Sequence, residues 1–412
     1  MPEIFDTLII GGGAAGLCAA IKLKQKNKAL NIAIIEQLPR VGKKLITTGN
    51  GRCNITNRDI SIDRYHGENV AFAEYALEKY GNLAAEDFFM SIGVPFCYDE
   101  VGRAYPYSLQ ASSVVDALRF AADELCVKTF LETTVYDYDK VKSGYCLNTS
   151  KGELYGKTVI AAGGLCSGGK ALGSTGGLFS IFKNHGYKTV TVTPAIVQIK
   201  TVPTVVRSLK GIKVNADAAF YADKKLIRRE FGEVLFCDYG LSGPPILQIS
   251  RAVERTSGKI TVVLDLMPEF SFAQIVDMLE NRARTLKLRQ LDEFFTGLLN
   301  KRVGQAVIKL CGLKMGNSVS TLKSADIKAL ADKLKRLSFD VTGTTGFENS
   351  QVTAGGLDTN DFNPQTMMSN REKGMFAIGE ILDIDGDCGG FNLQWAWSSA
   401  MCAAEAIAEW LK

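Results

Sequence analysis

Three glycines, Gly11, Gly13 and Gly16, stand in a G-x-G-x-x-G spacing, and Glu36 follows about 20 residues beyond the last of them. Each position has a distinct use. Gly11 permits a tight turn, Gly13 lets backbone approach a pyrophosphate, and Gly16 lets a helix pack closely on a strand. Ala14 and Ala15 fall in the first helical turn, whose free N–H groups and partial positive charge suit phosphates. Glu36, with Gln37 after it, is placed to accept hydrogen bonds from a ribose diol. The competing reading is a glycine-rich turn beside an exposed glutamate. The flanking pattern favours the dinucleotide: Thr7–Ile10 is a short apolar run, Leu17–Gln25 has helical spacing, and Asn31–Ile35 is a second apolar run.

Two more stretches carry polar groups on glycine-rich backbone. GKKLITTGNGRCNITN spans 42–57 and contains Lys43, Lys44, Gly51, Arg52, Cys53 and Asn54. Its amides and cations suit phosphate and ring carbonyls, although the lysines read equally well as a solvated surface pair. Near the C-terminus, GMFAIGE reads as a strand ending in Gly379 and Glu380. The loop DIDGDCGGFN then leads through Gly390, Phe391 and Asn392 into a final helix over 393–411. A returning second contact suits an extended dinucleotide such as FAD, with the N–H groups of 390–392 facing developing negative charge. With one G-x-G-x-x-G there is no obvious NADH or NADPH domain, so such a donor would dock transiently.

The elements that must position these groups are legible in outline. Strand–turn–helix–strand opens a doubly wound sheet. Helices are expected over 70–92 and 111–126, the latter starting at Ser112 or Ser113, and a strand over 158–162 runs into Gly163. Near 189 the pattern changes to alternation, as in 189–192, 197–200, 213–221 and 259–266. Ser271 with Gln274 then opens a helix-rich block as a capping box. The fold class is therefore α/β: a doubly wound dinucleotide-binding domain, 1–188 and 342–412, interrupted by an antiparallel β domain, 189–270, and a small helical domain, 271–341.

Composition bounds the rest. With 48 basic and 44 acidic side chains, a net +4 gives no reason to expect nucleic acid or membrane as partner. Only two histidines argue against a zinc site or a His-based triad. Ten scattered cysteines, none in C-x-x-C, read as small buried hydrophobes in a reducing compartment, hence a cytoplasmic protein. A catalytic Cys53–Cys388 disulfide is disfavoured. Oligomeric state is not readable.

The chain as a whole resembles the bacterial NAD(P)/FAD-dependent oxidoreductase flavoproteins that include bile-acid-pathway enone reductases and an aminoacetone oxidase. The carrying motifs are GGGAAGLCAA, GKKLITTGNGRCNITN, GLSGPPIL, TAGGL and GEILDIDGDCGGFNLQWAWSSA. The resemblance implies a Rossmann-like FAD-binding domain interrupted by a barrel-like β domain and a small helical domain, with the 42–57 loop wrapping the flavin end of FAD. It implies that backbone at Val135 holds adenine, and that Glu380 meets the ribityl or pyrophosphate region. Substrate-side candidates are Arg103 and Tyr105 in VGRAYPYS, and Tyr239 and Ser242 in DYGLSGPP; each also reads as a structural loop residue. Trp395 and Trp397 read as core. The leading expectation is non-covalent FAD passing hydride from NADH or NADPH to an electron-poor C=C bond of a small molecule. An amine oxidase using dioxygen and a non-catalytic flavin binder are the alternatives.

Overall fold

The computed structural model describes residues 3–412. The chain divides into two compact units, one running to Ala195 and resuming at Phe347, the other Ile196–Gly346.

In the first unit, strand β1 (Ile4–Ile10) enters helix α1 (Ala14–Lys26), which returns through strand β2 (Ile32–Ile35). The remaining sheet strands are β3 (Lys128–Phe130), β4 (Val135–Val141), β5 (Gly144–Thr149), β6 (Gly152–Ala161) and β7 (Met375–Ala377). Their order is β3-β2-β1-β6-β5-β4, with β7 also on β6. β1 is parallel to both β2 and β6, so Ile9 sits level with Ile34 and Ile160. A parallel strand covered on both faces must be apolar on both, which is why this stretch reads as an unbroken hydrophobic run. β6 meets antiparallel β5 along Gly152–Gly156 and parallel β7 along Val159–Ala161. The C-terminal segment thus returns to the centre of the sheet, where the final helix, α2 (Phe391–Trp410), packs on α1.

Two local expectations are corrected. The helix expected to start at Ser112 or Ser113 begins at Ala111, with Gln110 as N-cap and no side-chain cap. The alternating stretch 189–192 does not open the inserted unit. Thr189–Ala195 pairs antiparallel with Val352–Leu357 inside the first unit. Alternation marks a strand without naming its partner.

The second unit holds a closed six-stranded barrel: Ile199–Thr201, Gly240–Ser242, Lys225–Phe236, Lys213–Ala222, Ile260–Asp265 and Leu337–Thr344 in ring order. Helices Phe272–Thr285, Lys301–Leu310 and Ser324–Lys335 lie in the chain before its last strand. Ile275, Leu279, Val307 and Leu330 from these helices share one core with Phe220, Val262 and Leu264 of the barrel. No boundary therefore separates 189–270 from 271–341, because the strand after the helices closes the barrel. Ser271 does form a capping box: its hydroxyl accepts from Gln274 N, and Gln274 Oε1 accepts from Ser271 N.

Candidate functional site

The glycine turn shows why its residues are small. A Cβ on Gly11 would lie 2.6 Å from Ala162 O, and one on Gly16 would lie 2.0 Å from Gly11 O. Gly13 is different: nothing lies within 4 Å of its Cβ position, at the N-cap of a helix that has no side-chain cap. The N–H groups at Ala14, Ala15 and Gly16 therefore begin α1 beside open space. Gly163, at the end of β6, packs directly against Gly11.

Glu36 directly follows β2 and is half-buried. Its Oε2 accepts from Gly12 N and its Oε1 from Leu38 N, both at 2.9 Å. Burial pushes its carboxyl above the usual range, against the pull of the Leu38, Gly12 and Gln37 N–H groups. The carboxylate shapes the turn and keeps further lone pairs free. Gln37 is exposed and donates to Gly173 O. Val135 is half-buried at the start of β4, two residues past Thr133, whose N–H donates to Glu36 O.

The 42–57 loop is tied to the glycine turn through Gly42 N to Gly12 O at 2.8 Å. Lys44 reaches Glu380 Oε2 at 2.6 Å and also Ser167; Ser167 Oγ in turn donates to Glu380 Oε1 at 2.8 Å. Thr353 Oγ1 accepts from the N–H of both Cys166 and Ser167. Sequence reasoning missed Ser167 and Thr353. Their only signal was a polar residue inside the glycine-rich stretch after β6 and another in the TAGGL motif. Lys43 is half-buried and has no polar partner among the described residues. Gly51 opens onto free space and Arg52 is exposed. Cys53 is fully buried, and burial pushes its thiol up to about 12. Such a thiol is a poor nucleophile. Burial also raises the Cys388 thiol. Asn54 Oδ1 is buried without a hydrogen-bond partner.

The C-terminal segment closes on both. Gly379 sits against Ala15, 3.1 Å from its Cβ position to the Ala15 methyl. Gly390 caps α2 without a side-chain cap, its Cβ position 2.4 Å from Thr56 O and 2.8 Å from Asn54 Oδ1. Asn57 donates to Gly389 O at 2.8 Å. The Asn392 side chain is spent on Gly386 N and O and on Asp387 O, and Phe391 is buried edge-on to Tyr65. Only their backbone remains to face a ligand. Trp395 and Trp397 are buried, yet they also position the site. Their indole N–H groups donate to Gly379 O at 3.1 Å and Ile55 O at 2.9 Å.

Among the substrate-side candidates, Arg103 and Tyr105 belong to the first unit and Tyr239 and Ser242 to the second. Arg103 Nε is held by Asp99 Oδ2 at 2.7 Å. Tyr105 lies on the same strand, Arg103–Pro106, paired with Thr56–Asn57 of the loop. Among the described residues no His, Cys, Asp and Glu cluster could hold a metal, and no helix is long and apolar enough to cross a membrane.

Two uncapped helix N-termini, a carboxylate at a strand end and open backbone at Gly13 and Gly51 belong to one unit. These residues could hold a long ligand carrying phosphates, a diol and a polar ring.

The family model described as HI0933-like protein Rossmann domain matches residues 5–406. A 3-dehydro-bile acid delta(4,6)-reductase of Clostridium scindens is 33% identical over 97% of this chain and 98% of its own length. A ribosomal RNA dihydrouridine synthase of Haemophilus influenzae is 28% identical, covering 99% of each chain. Among solved structures, the 3-ketosteroid delta1-dehydrogenase from Sterolibacterium denitrificans superposes with TM-score 0.52 at 12% identity, over 99% of this chain and 100% of that one, a likeness of fold. The chain belongs to the HI0933-like Rossmann family and is an FAD-dependent oxidoreductase.

Proposed function

We propose that the chain binds one FAD non-covalently in the first unit and reduces an electron-poor C=C bond, with NADH or NADPH as transient donor. The observation that carries this is the meeting of α1, the 42–57 loop and the start of α2 around Gly12, Ala15, Asn54 and Gly390. FAD would supply two-electron chemistry between donor and substrate. The chain's residues hold and polarise it. The first-turn N–H groups of α1 take the pyrophosphate, and Glu36 takes the adenosine ribose. Lys44, Glu380 and Ser167 face the middle of the molecule. The first-turn N–H groups at Gly390, Phe391 and Asn392 favour negative charge on the ring's pyrimidine edge.

The bile-acid relative is named for saturating C=C bonds in a 3-oxo compound, which favours a conjugated enone as substrate class. A second reading is an RNA substrate: dihydrouridine also arises by saturating a C=C bond next to a carbonyl, and two relatives carry that name. Ten free cysteines favour the cytoplasm.

The test is anaerobic. NADH or NADPH should bleach the flavin absorbance, and a 4-en-3-one steroid should restore it. Colour returning only with uridine-containing RNA would favour the second reading. Bleaching by a small amine alone, reversed by dioxygen, would replace both with an oxidase.

A further inference from the structure

Five tyrosines are buried: Tyr65, Tyr105, Tyr138, Tyr145 and Tyr187. Four spend their hydroxyl inside the fold. Tyr65 donates to Phe391 O, Tyr138 to Glu372, Tyr145 to Lys373 O, and Tyr187 shares Ser369 and Glu372. A buried tyrosine ordinarily finds such a partner. Tyr105, only 4% exposed, has none among the described residues. Its oxygen is not sealed by the packed side chains around it.

The Tyr105 ring adjoins the candidate cofactor loops. The Tyr105 ring lies 3.5 Å from the Cβ position of Gly49, and the Arg52 guanidinium stands 4.7 Å from the ring centroid. Its strand pairs with Thr56–Asn57, which in turn contact Gly389 and Gly390. We propose that the Tyr105 hydroxyl is the proton donor to the substrate carbon in the reduction, a role that rests on the reductase reading above.

The step balances. Saturating a C=C bond conjugated to a carbonyl adds a hydride at the far carbon and a proton at the carbon next to the carbonyl. The two electrons arrive with the hydride and derive from the nicotinamide donor. The O–H bond of Tyr105 breaks to supply the proton, and the phenolate regains one from water. Burial keeps the phenol protonated beforehand, while Arg103 and Arg52 draw it the other way. The Arg52 cation over the ring then offsets the charge that appears as the proton leaves.

Tyr105→Phe keeps the ring and its packing. Three quantities are compared between wild-type and variant holoenzymes: the FAD dissociation constant, the anaerobic rate of bleaching by NADH or NADPH, and the rate at which a 4-en-3-one steroid restores colour. The first two should be unchanged and the third should fall about 10²- to 10⁴-fold. Colour returning in the variant at the wild-type rate overturns the proposal and leaves the reading intact. Weakened FAD binding or slowed bleaching overturns it too, since Tyr105 would then serve the cofactor. A wild-type protein that neither bleaches nor recolours removes the reading and the proposal together.

Discussion

At the scale of single residues, what matters is how many bonds each side chain has already spent. Glu36 spends one lone pair per oxygen on its own turn and retains capacity for a ligand. Glu36→Ala should therefore weaken FAD binding by about 1.5–3 kcal/mol, the worth of a hydrogen bond to a charged group. That is about 10- to 150-fold in the dissociation constant, read by titrating apoprotein with FAD. An unchanged constant would confine Glu36 to shaping the turn. Lys44 is the reverse case, since Glu380 and Ser167 take two of its three donors. Lys44→Met leaves the half-buried Glu380 carboxylate with Ser167 but no cation and should lower the unfolding free energy by about 1–3 kcal/mol, seen as a lower denaturant midpoint at constant slope. The glycine turn and Glu36 could be placed from the sequence because their spacing encodes backbone geometry. Ser167 and Thr353 were not, because a hydroxyl acting through one hydrogen bond leaves no periodicity. The openness of the Tyr105 hydroxyl was equally hidden, being a property of its surroundings.

At the scale of elements, α2 is buried on most faces and joins the site to the rest of the first unit. Its outer end is pinned by Glu405, which meets Lys79, Tyr80 and Lys26. Burial would raise the Glu405 carboxyl, but hydrogen bonds from Lys79 and Tyr80 and the charge of Lys26 win and hold it at about 2. A carboxyl depressed in the folded state stabilises above its unfolded value and loses that contribution as pH falls through its folded value. Glu405→Gln should thus cost stability at neutral pH, by under about 1 kcal/mol because the cluster is solvent-screened. The gap to wild type should shrink between about pH 4.5 and pH 2. Unfolding curves across that window check it, and a constant gap would mean the charge is irrelevant. Elements with a clear period were readable in the sequence: β1, β2, the last helix and the Ser271 cap. The longest barrel strand, Lys225–Phe236, was not, because Arg228, Arg229 and Glu230 interrupt its alternation on a face half open to water. Nor could alternation tell that Thr189–Ala195 pairs with Val352–Leu357.

At the scale of the whole molecule, the chain leaves the first unit after Ala195 and re-enters at Phe347, and the structure makes this interruption removable in principle. Ala195 and Val352 are register partners in an antiparallel pair, so the two cut ends lie side by side as in a hairpin. A short turn-forming linker can span such ends. The second unit has its own closed barrel and its own core, so its removal strips no buried strand from the parallel sheet. We predict that residues 1–195 joined by a short Gly/Asn linker to 347–412 fold and bind FAD, because β7, Glu380 and the start of α2 are all retained. Residues 1–195 alone should not. They lack β7, leaving half of β6 unpaired on one side, and they lack α2, whose Trp395, Trp397, Ala400 and Ile407 fill the core over α1. An exposed sheet edge and apolar face of that kind favour aggregation. Solubility, a cooperative unfolding transition and a flavin absorbance band distinguish the two pieces. A folded, yellow 1–195 fragment would show that the C-terminal segment is dispensable for the cofactor. If the joined piece is yellow and bleaches with NADH or NADPH yet never recolours with the steroid, the substrate determinants belong to Ile196–Gly346, where Tyr239 and Ser242 reside.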